Sequence, residues 1–289
     1  MPNTIALAKN YTSLLDEVYR AASVTADLTS DPALSRAGAN ANEIIYPQIT
    51  VSGLGEYDRN SGYTTGAVDL KWKTAAFNYD RGTKISVDVM DNEESRNLAF
   101  GMAGATLMRD KVAPEADAFT FATLASLENI SGATGAIDGA SQFLDALLTA
   151  WSKMDEDEVP QENRILYATA TLLNSVMSLD TTKSREILAK FAIKKVVPQA
   201  RFYTAIDLLD GKTSGEEAGH YQKADTGKNI KFMVVHKPAI IKFDKHVASN
   251  IIPASSNPDA DADIVKYRKY GIVDAYRNKR AGIYLHSES

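Results

Sequence analysis

The side chains best equipped for chemistry are four histidines, an acidic run and a Gly-Lys pair, and their spacing argues against the usual sites. His220, His236, His246 and His286 lie far apart, with no pair at the i, i+4 spacing that sets two ligands on one helix face. Ordinary surface or half-buried histidines are the expectation. The run "DADAD", Asp259 to Asp263, carries acids at every second position as the opening of an EF-hand calcium loop does. The sixth position is Ile264 and the twelfth Tyr270, where that loop needs glycine and glutamate, so a solvated acidic loop or strand-end hydrogen bonding is expected. "TGKN", Thr226 to Asn229, lacks both the upstream glycine and the following Ser or Thr of a phosphate loop, and reads as a turn. There is no G-x-S-x-G elbow and no motif pairing two carboxylates, and the absence of cysteine removes thiol nucleophiles, thiolate metal sites and disulfides. The expectation is a protein that is not an enzyme and that holds no cofactor or metal.

The basic residues give a similar answer. Lys190, Lys194 and Lys195 in "AKFAIKK" read as the solvated face of a helix. A net charge of −5 does not suit a protein that reads DNA sequence by neutralising phosphates. Trp72 stands apart, because it is flanked by Lys71 and Lys73 directly after a glycine-rich loop. Either the ring folds back onto a core or it anchors an interface.

Those residues must be positioned by a chain of 289 residues, 44% of them hydrophobic, enough for a sizeable core. The N-terminus lacks a basic flank leading into an apolar core, and no run nears the ~18 apolar residues of a membrane span, so a soluble cytoplasmic protein is expected. Lys9 to Leu28 reads as a short amphipathic helix in an arm. "EIIYPQITV" is extended, and "SGLGEYDRNSGYTTG", with Gly53, Gly55, Gly62 and Gly66, is a long loop between two strands of a hairpin. "FNYDRGTKISVDV" alternates as a strand, and Asp91 with Glu94 signals a helix start. From there an apolar stripe at Leu98, Met102, Ala105, Met108, Val112, Ala116 and Phe119 runs on to about Ser126, roughly 35 residues or about 50 Å. Pro114 falls inside it, which predicts a kink or break near Ala113. Beyond lie a helix over "SQFLDALLTAWSKM", an acidic linker Asp155 to Glu158, a strand "RILYA", helices around "TLLNSVMSL" and "SREILAKFAIKK", and strands flanking Pro238. The C-terminal stretch reads as a final hairpin turning at Asn278 to Gly282.

The order of these parts and several phrases resemble the major capsid proteins of tailed bacteriophages, of the Hong Kong 97 type. The phrase most specific to that family is "KVAPEADAFTFATLAS", Lys111 to Ser126, which resembles its spine helix. Others in the same order are "YDRGTKISVDVMDNEES", "VPQENRILYATATLL", "VPQARFYTA", "IKFMVVHKPAIIKFDK" and "DADIVKYRKYGIVDAYRNKRAGIYLH", spanning roughly residues 79 to 286.

The resemblance implies an α+β fold: an N-terminal arm (1–43), an extended loop hairpin (44–80), a peripheral domain with the spine helix (81–135 and 255–289) and an inserted axial α/β domain (136–254). It implies a homo-oligomer, hexamers and pentamers closing into an icosahedral shell around double-stranded DNA that is contacted non-specifically. A separate scaffolding protein, or a chain already trimmed, is expected, with portal and head-completion proteins as further partners and no membrane. The chain would reside in the virion after assembly in the host cytoplasm. The assembly candidates are Arg59, Lys71, Trp72, Lys73, Pro114, Glu115 and Asp117, the last two expected beside free amides where the second half of the spine begins. The same fold would also suit an encapsulin-type protein compartment, and a soluble enzyme with an unfamiliar site is the remaining alternative.

Overall fold

The structure, a computed structural model, describes residues 18, 22–30, 36–37, 42–94, 98–179 and 181–289, with 36–37 and 98–101 described by the backbone alone. Most of the expected arm helix lies outside the described residues. The chain divides into two units, Asp31–Asn78 and the remainder.

The smaller unit is one antiparallel sheet in the order β1 (Arg36–Ala37), β2 (Glu43–Val51), β3 (Val68–Ala76). β2 and β3 pair without interruption from Glu43 opposite Ala76 to Val51 opposite Val68. The glycine-rich segment between them is the tip of this hairpin. There Asp58 and Gly62 exchange backbone hydrogen bonds of 3.2 and 2.7 Å, and the Asp58 carboxylate accepts from the Asn60 amide at 2.7 Å. Gly62 closes that turn at φ 79°, a left-handed conformation that glycine adopts at no steric cost.

In the larger unit β4 (Tyr79–Asp88) leads into α1 (Val89–Glu94), α2 (Leu98–Leu107), a π-helical segment (Met108–Val112) and α3 (Ala113–Ala125). β5 (Ser131–Thr134) and α4 (Ala140–Glu156) follow, then β6 (Arg164–Thr169), α5 (Ala170–Leu179), α6 (Thr182–Ala189) and β7 (Ile193–Val197). The chain ends with β8 (Ile206–Leu208), β9 (Tyr221–Lys223), β10 (Ile230–His236), β11 (Ile240–Ile252), β12 (Ala262–Ala275) and β13 (Ile283–Ser287).

A five-stranded sheet in the order β5-β13-β10-β6-β7 is the middle layer of this unit. Every residue of β6 is buried, and successive side chains enter different cores. Leu166 and Ala168 join Phe143, Leu147, Trp151, Val176 and Phe191 of the α4–β7 segment, while Ile165 and Tyr167 join Phe121 and Leu124 of α3. A sheet covered on both faces needs an almost continuous apolar run, which "RILYAT" supplies apart from its first and last residues. Arg164 is buried because its guanidinium lies 4.4 Å over the Trp151 ring and donates to Asp155 Oδ1 at 2.6 Å and to the Pro160 carbonyl at 3.0 Å. The acidic stretch is thereby fastened, and Asp155 and Glu156 belong to the end of α4 and not to a linker.

Several local expectations are corrected. Helix α1 begins at Val89, two residues ahead of Asp91, because Asp88 takes the capping role and accepts from the Met90 amide at 2.9 Å. Pro114 does not break the helix. Val112 and Ala113 keep helical dihedrals (φ −68°, ψ −47° and φ −66°, ψ −46°), and the Ala113 amide bonds the Met108 carbonyl five residues back. Widening the preceding turn to the π form frees the helix from the i−4 bond that proline is unable to make. Lys194 and Lys195 lie on edge strand β7, since α6 ends at Ala189. The final hairpin does not exist as expected: β12 pairs with β11 and β4, and β13 with β10 and β5 in the other sheet.

Candidate assembly site

The buried half of the long helix carries two carboxylates two residues apart, and each gathers partners from distant segments. Asp117 is wholly buried. Its Oδ1 accepts from Ser23 Oγ (2.8 Å), Thr25 Oγ1 (2.7 Å) and the Thr25 amide (3.1 Å), and its Oδ2 from the Val24 amide (2.9 Å) and Arg201 Nη1 (3.1 Å). Arg201 Nη1 also donates to the Ala22 carbonyl at 3.0 Å. A buried carboxylate is costly unless its lone pairs are met by donors and a counter-charge, and here both are present. Lys242 of β11 closes the clasp, donating to the Thr25 carbonyl at 2.9 Å and to Thr25 Oγ1 at 2.5 Å. Burial pushes the Lys242 ammonium down to about 8, against the opposing pull of the Asp117 charge. The segment Ala22–Ser30 is thus held between α3, β11 and the turn bearing Arg201.

Glu115 is nearly buried and accepts from Tyr79 Oη (3.1 Å), Arg81 Nε (2.7 Å) and Arg81 Nη2 (3.4 Å). The same Arg81 donates to the carbonyls of Leu209 (2.7 Å) and His220 (3.2 Å), so one ion pair ties β4, α3 and the 209–220 loop. Burial works to raise the Glu115 pKa, but the His220 ring, the Arg81 guanidinium and the Tyr79 hydroxyl hold it below the usual carboxylate value. His220 Nδ1 lies 3.6 Å from Glu115 Oε2, close enough for the charges to interact but too far for a hydrogen bond, and is buried with no hydrogen-bond partner. His220 also sits at φ 74°. Within the loop the Asp210 carboxylate accepts from the amides of Lys212 and Thr213, and these bonds hold it down at about 2. Neither Glu115 nor Asp117 meets free helix amides, because the helix is continuous through Val112 and Ala113; their partners come from other elements.

The remaining candidates lie in the smaller unit. Arg59 is exposed at the hairpin tip, between Asp58 and Asn60 of the tight turn. Residues directly opposite in an antiparallel pair share a face. Pro47, Ile49 and Val51 therefore lie with Trp72, Leu70 and Val68, and all six are exposed, Ile49 at 60%, Val68 at 71% and Trp72 at 46%. Lys71, which pairs with Asp69 at 2.5 Å, and half-buried Lys73 stand on the opposite face with Gln48 and Thr50. Trp72 is thus one member of an apolar stripe over residues 47–51 and 68–72; beyond it Glu43 and Thr74 share that face, and buried Ile44, Tyr46 and Ala75 share the other.

The sequence reading missed Tyr79, Arg81, Arg201, Thr25 and Lys242 as members of these clusters. The acidic run resolves into strand-end bonding: the Asp261 carbonyl accepts from Val89 N and Asp263 Oδ1 from Ala254 N. Among the described residues no group of three His, Asp or Glu is arranged to hold a metal ion, and no helix is long and apolar enough to cross a membrane.

No family model matches the chain, and no curated protein matches it in sequence. Solved structures do match in fold. The capsid of the cyanophage P-SCSP1u aligns at 12% identity and a TM-score of 0.58, over 88% of this chain and 85% of that one. The mature capsid subunit of bacteriophage PhiM1 aligns at 14% identity and 0.58, over 86% and 82%. A virus-like particle from Pyrococcus furiosus aligns at 10% identity and 0.59, over 99% and 100%. Identities this low carry the likeness through architecture and not through side chains. The chain has the α+β capsid fold of tailed-phage shells, the Hong Kong 97 type.

Proposed function

We propose that this chain is the major capsid subunit of a tailed phage, a structural protein whose copies form hexamers and pentamers and then an icosahedral shell around double-stranded DNA. The observation that carries the reading beyond the fold is the exposed apolar face of the β2–β3 hairpin. Isolated exposed apolar residues are ordinary, but six on one face of one hairpin mark a surface that another molecule covers. In a shell built from identical subunits, contacts between different patches on neighbouring copies close into rings. On this reading residues 1–43 act as an arm, 44–80 as the loop that lies over a neighbour, 81–135 with 255–289 as the peripheral domain and 136–254 as the axial domain. Arg59, Lys71, Trp72 and Lys73 then belong to contacts between subunits, and Pro114, Glu115 and Asp117 to the frame that carries them.

A scaffolding protein, a portal and head-completion proteins are the further partners of this role, with assembly in the host cytoplasm and residence in the virion. Negative-stain electron microscopy of the purified chain, alone and with lysate of infected cells, tests it. Closed shells or capsomer-sized rings are the expected outcome, and a small monodisperse particle under both conditions overturns it. Shells that package protein and exclude DNA would instead favour the compartment reading, which the match to the Pyrococcus furiosus particle keeps in view.

A further inference from the structure

We infer that the cleft where α3 ends, together with the two turns beside it, is a contact site for the phosphate backbone of a polynucleotide. The cleft has a volume of about 380 Å³ and is lined by Ser126, Leu127, Glu128, Asn129, Arg277 and Arg280. Arg280 donates through Nη1 to the Glu128 carbonyl at 3.1 Å, and its Nη2 lies 3.8 Å from Asp274 Oδ1. Its Nε is buried with no hydrogen-bond partner, a charged donor left without an acceptor beside the cleft. That atom is shielded from solvent, so an anionic oxygen entering the cleft meets the exposed guanidinium of Arg277 instead.

The positive charge extends past the cleft. The turn at Lys237–Ala239 packs against the turn at Arg277–Gly282 so closely that a Cβ on Gly282 would stand 3.1 Å from the Cβ atoms of Ala239 and His236. That packing sets the turn with exposed Lys237 beside the turn with exposed Arg277 and Lys279, whose Nζ donates to the Pro238 carbonyl at 3.4 Å. Lys279 lies 5.2 Å over the Tyr276 ring, a contact that leaves its charge uncancelled. Among the described residues the acids that line the cleft or pair with these cations are Glu128 and Asp274, so four cations meet two acids in a chain whose net charge is −5. A small anion would need only the two arginines, whereas a chain of repeated phosphates also uses the lysines on the adjoining turn. A contact made to phosphate carries no sequence information, so the binding is independent of sequence.

The identity of the ligand as packaged DNA rests on the shell reading; the site itself does not. The test is fluorescence anisotropy of the full-length chain with a labelled DNA duplex of about 20 base pairs, titrated between roughly 50 and 200 mM salt. Lys237→Gln/Arg277→Gln is compared with Lys212→Gln/Lys228→Gln, which removes equal charge from exposed positions elsewhere, and shell formation is scored in parallel by electron microscopy. The expected result is a salt slope lower by about 2 and affinity weaker by roughly tenfold in the first pair, with a smaller change in the second. Glu128→Gln, which removes the acid from the cleft lining, is expected to tighten binding. Equal losses in both pairs, no duplex binding by the wild-type chain at the lowest salt, or tighter binding of a poly-glutamate peptide than of the duplex overturns the inference. A wild-type chain that binds the duplex as expected but never forms shells overturns the shell reading and leaves the site standing.

Discussion

Asp117 is the residue on which most local order depends, since it takes five hydrogen bonds from two separate parts of the chain, residues 23–25 and Arg201. Asp117→Ala leaves the Arg201 charge without its counter-ion and strands the donors of residues 23–25, so urea denaturation should register a loss of about 3–5 kcal/mol. Proteolysis should cut N-terminal to Ser30 at lower protease concentrations in the same variant. Lys242 predicts a pH effect of definite sign. Its pKa falls from 10.5 when unfolded to about 8 when folded, so between those values the unfolded chain binds more protons and stability rises with pH. Full burial makes the effect large, on the order of 3 kcal/mol across the window. In Lys242→Met that rise should vanish, and the check is the difference between the two stability profiles, because buried Tyr167 and half-buried Tyr221, both raised, contribute alike in both. None of these partnerships was legible in the sequence: Arg81, Arg201 and Thr25 meet their carboxylates across 34, 84 and 92 residues. Glu115 and Asp117 themselves were found only through a phrase shared with a family, and the partners first assigned to them, helix amides, were wrong.

At the scale of elements, what the sequence disclosed was whatever depends on neighbours in the chain. The alternation of β4, the amphipathic stripe of α4 and the hairpin around the glycine-rich loop follow from local periodicity and turn chemistry. The pairing of β12 with β11 and β4 does not, because strand partners are chosen by the whole fold and a turn signal at Asn278 says only that the chain bends. Lys194 and Lys195 were misplaced on a helix for a related reason: "IKK" has no pattern of its own, and pairing with β6 makes it a strand. The π segment is the subtlest case. Proline predicts a missing bond but not how the helix absorbs it. Relaxing Met108–Val112 to α geometry would turn α2 by roughly one residue, ~100°, against α3. Met108, 1% exposed and packed with Tyr267, would then leave its pocket. Packing therefore holds the π form, and Pro114→Ala should change stability by less than about 1 kcal/mol, seen as a thermal midpoint within a few degrees of wild type. A change several times larger would show that the proline itself imposes the geometry.

For the whole molecule, the question is why six apolar side chains stay in water on one hairpin. Over residues 47–51 and 68–72 the opposite face carries Gln48, Thr50, Asp69 and Lys71, so along this stretch the two-residue period of the strands has sorted apolar from polar. A second copy of the chain in a shell is the cover that the proposed function supplies. The consequence separates folding from assembly. Ile49→Asp/Leu70→Asp places two like charges directly opposite each other on a face already exposed at 60% and 51%, so the isolated chain should lose no more than about 1–2 kcal/mol and stay folded. Shells and capsomers should nevertheless be lost, because two carboxylates would be buried without partners at every copy of the contact. Trp72→Ala should weaken assembly more than it lowers the melting temperature, and deletion of the loop from Gly53 to Gly66 should leave the larger unit folded while abolishing shells. Sedimentation together with electron microscopy reads all three variants. Shells of normal yield from the double aspartate variant would mean that the stripe faces water in the assembled state too, and the hairpin would lose its part in the contact.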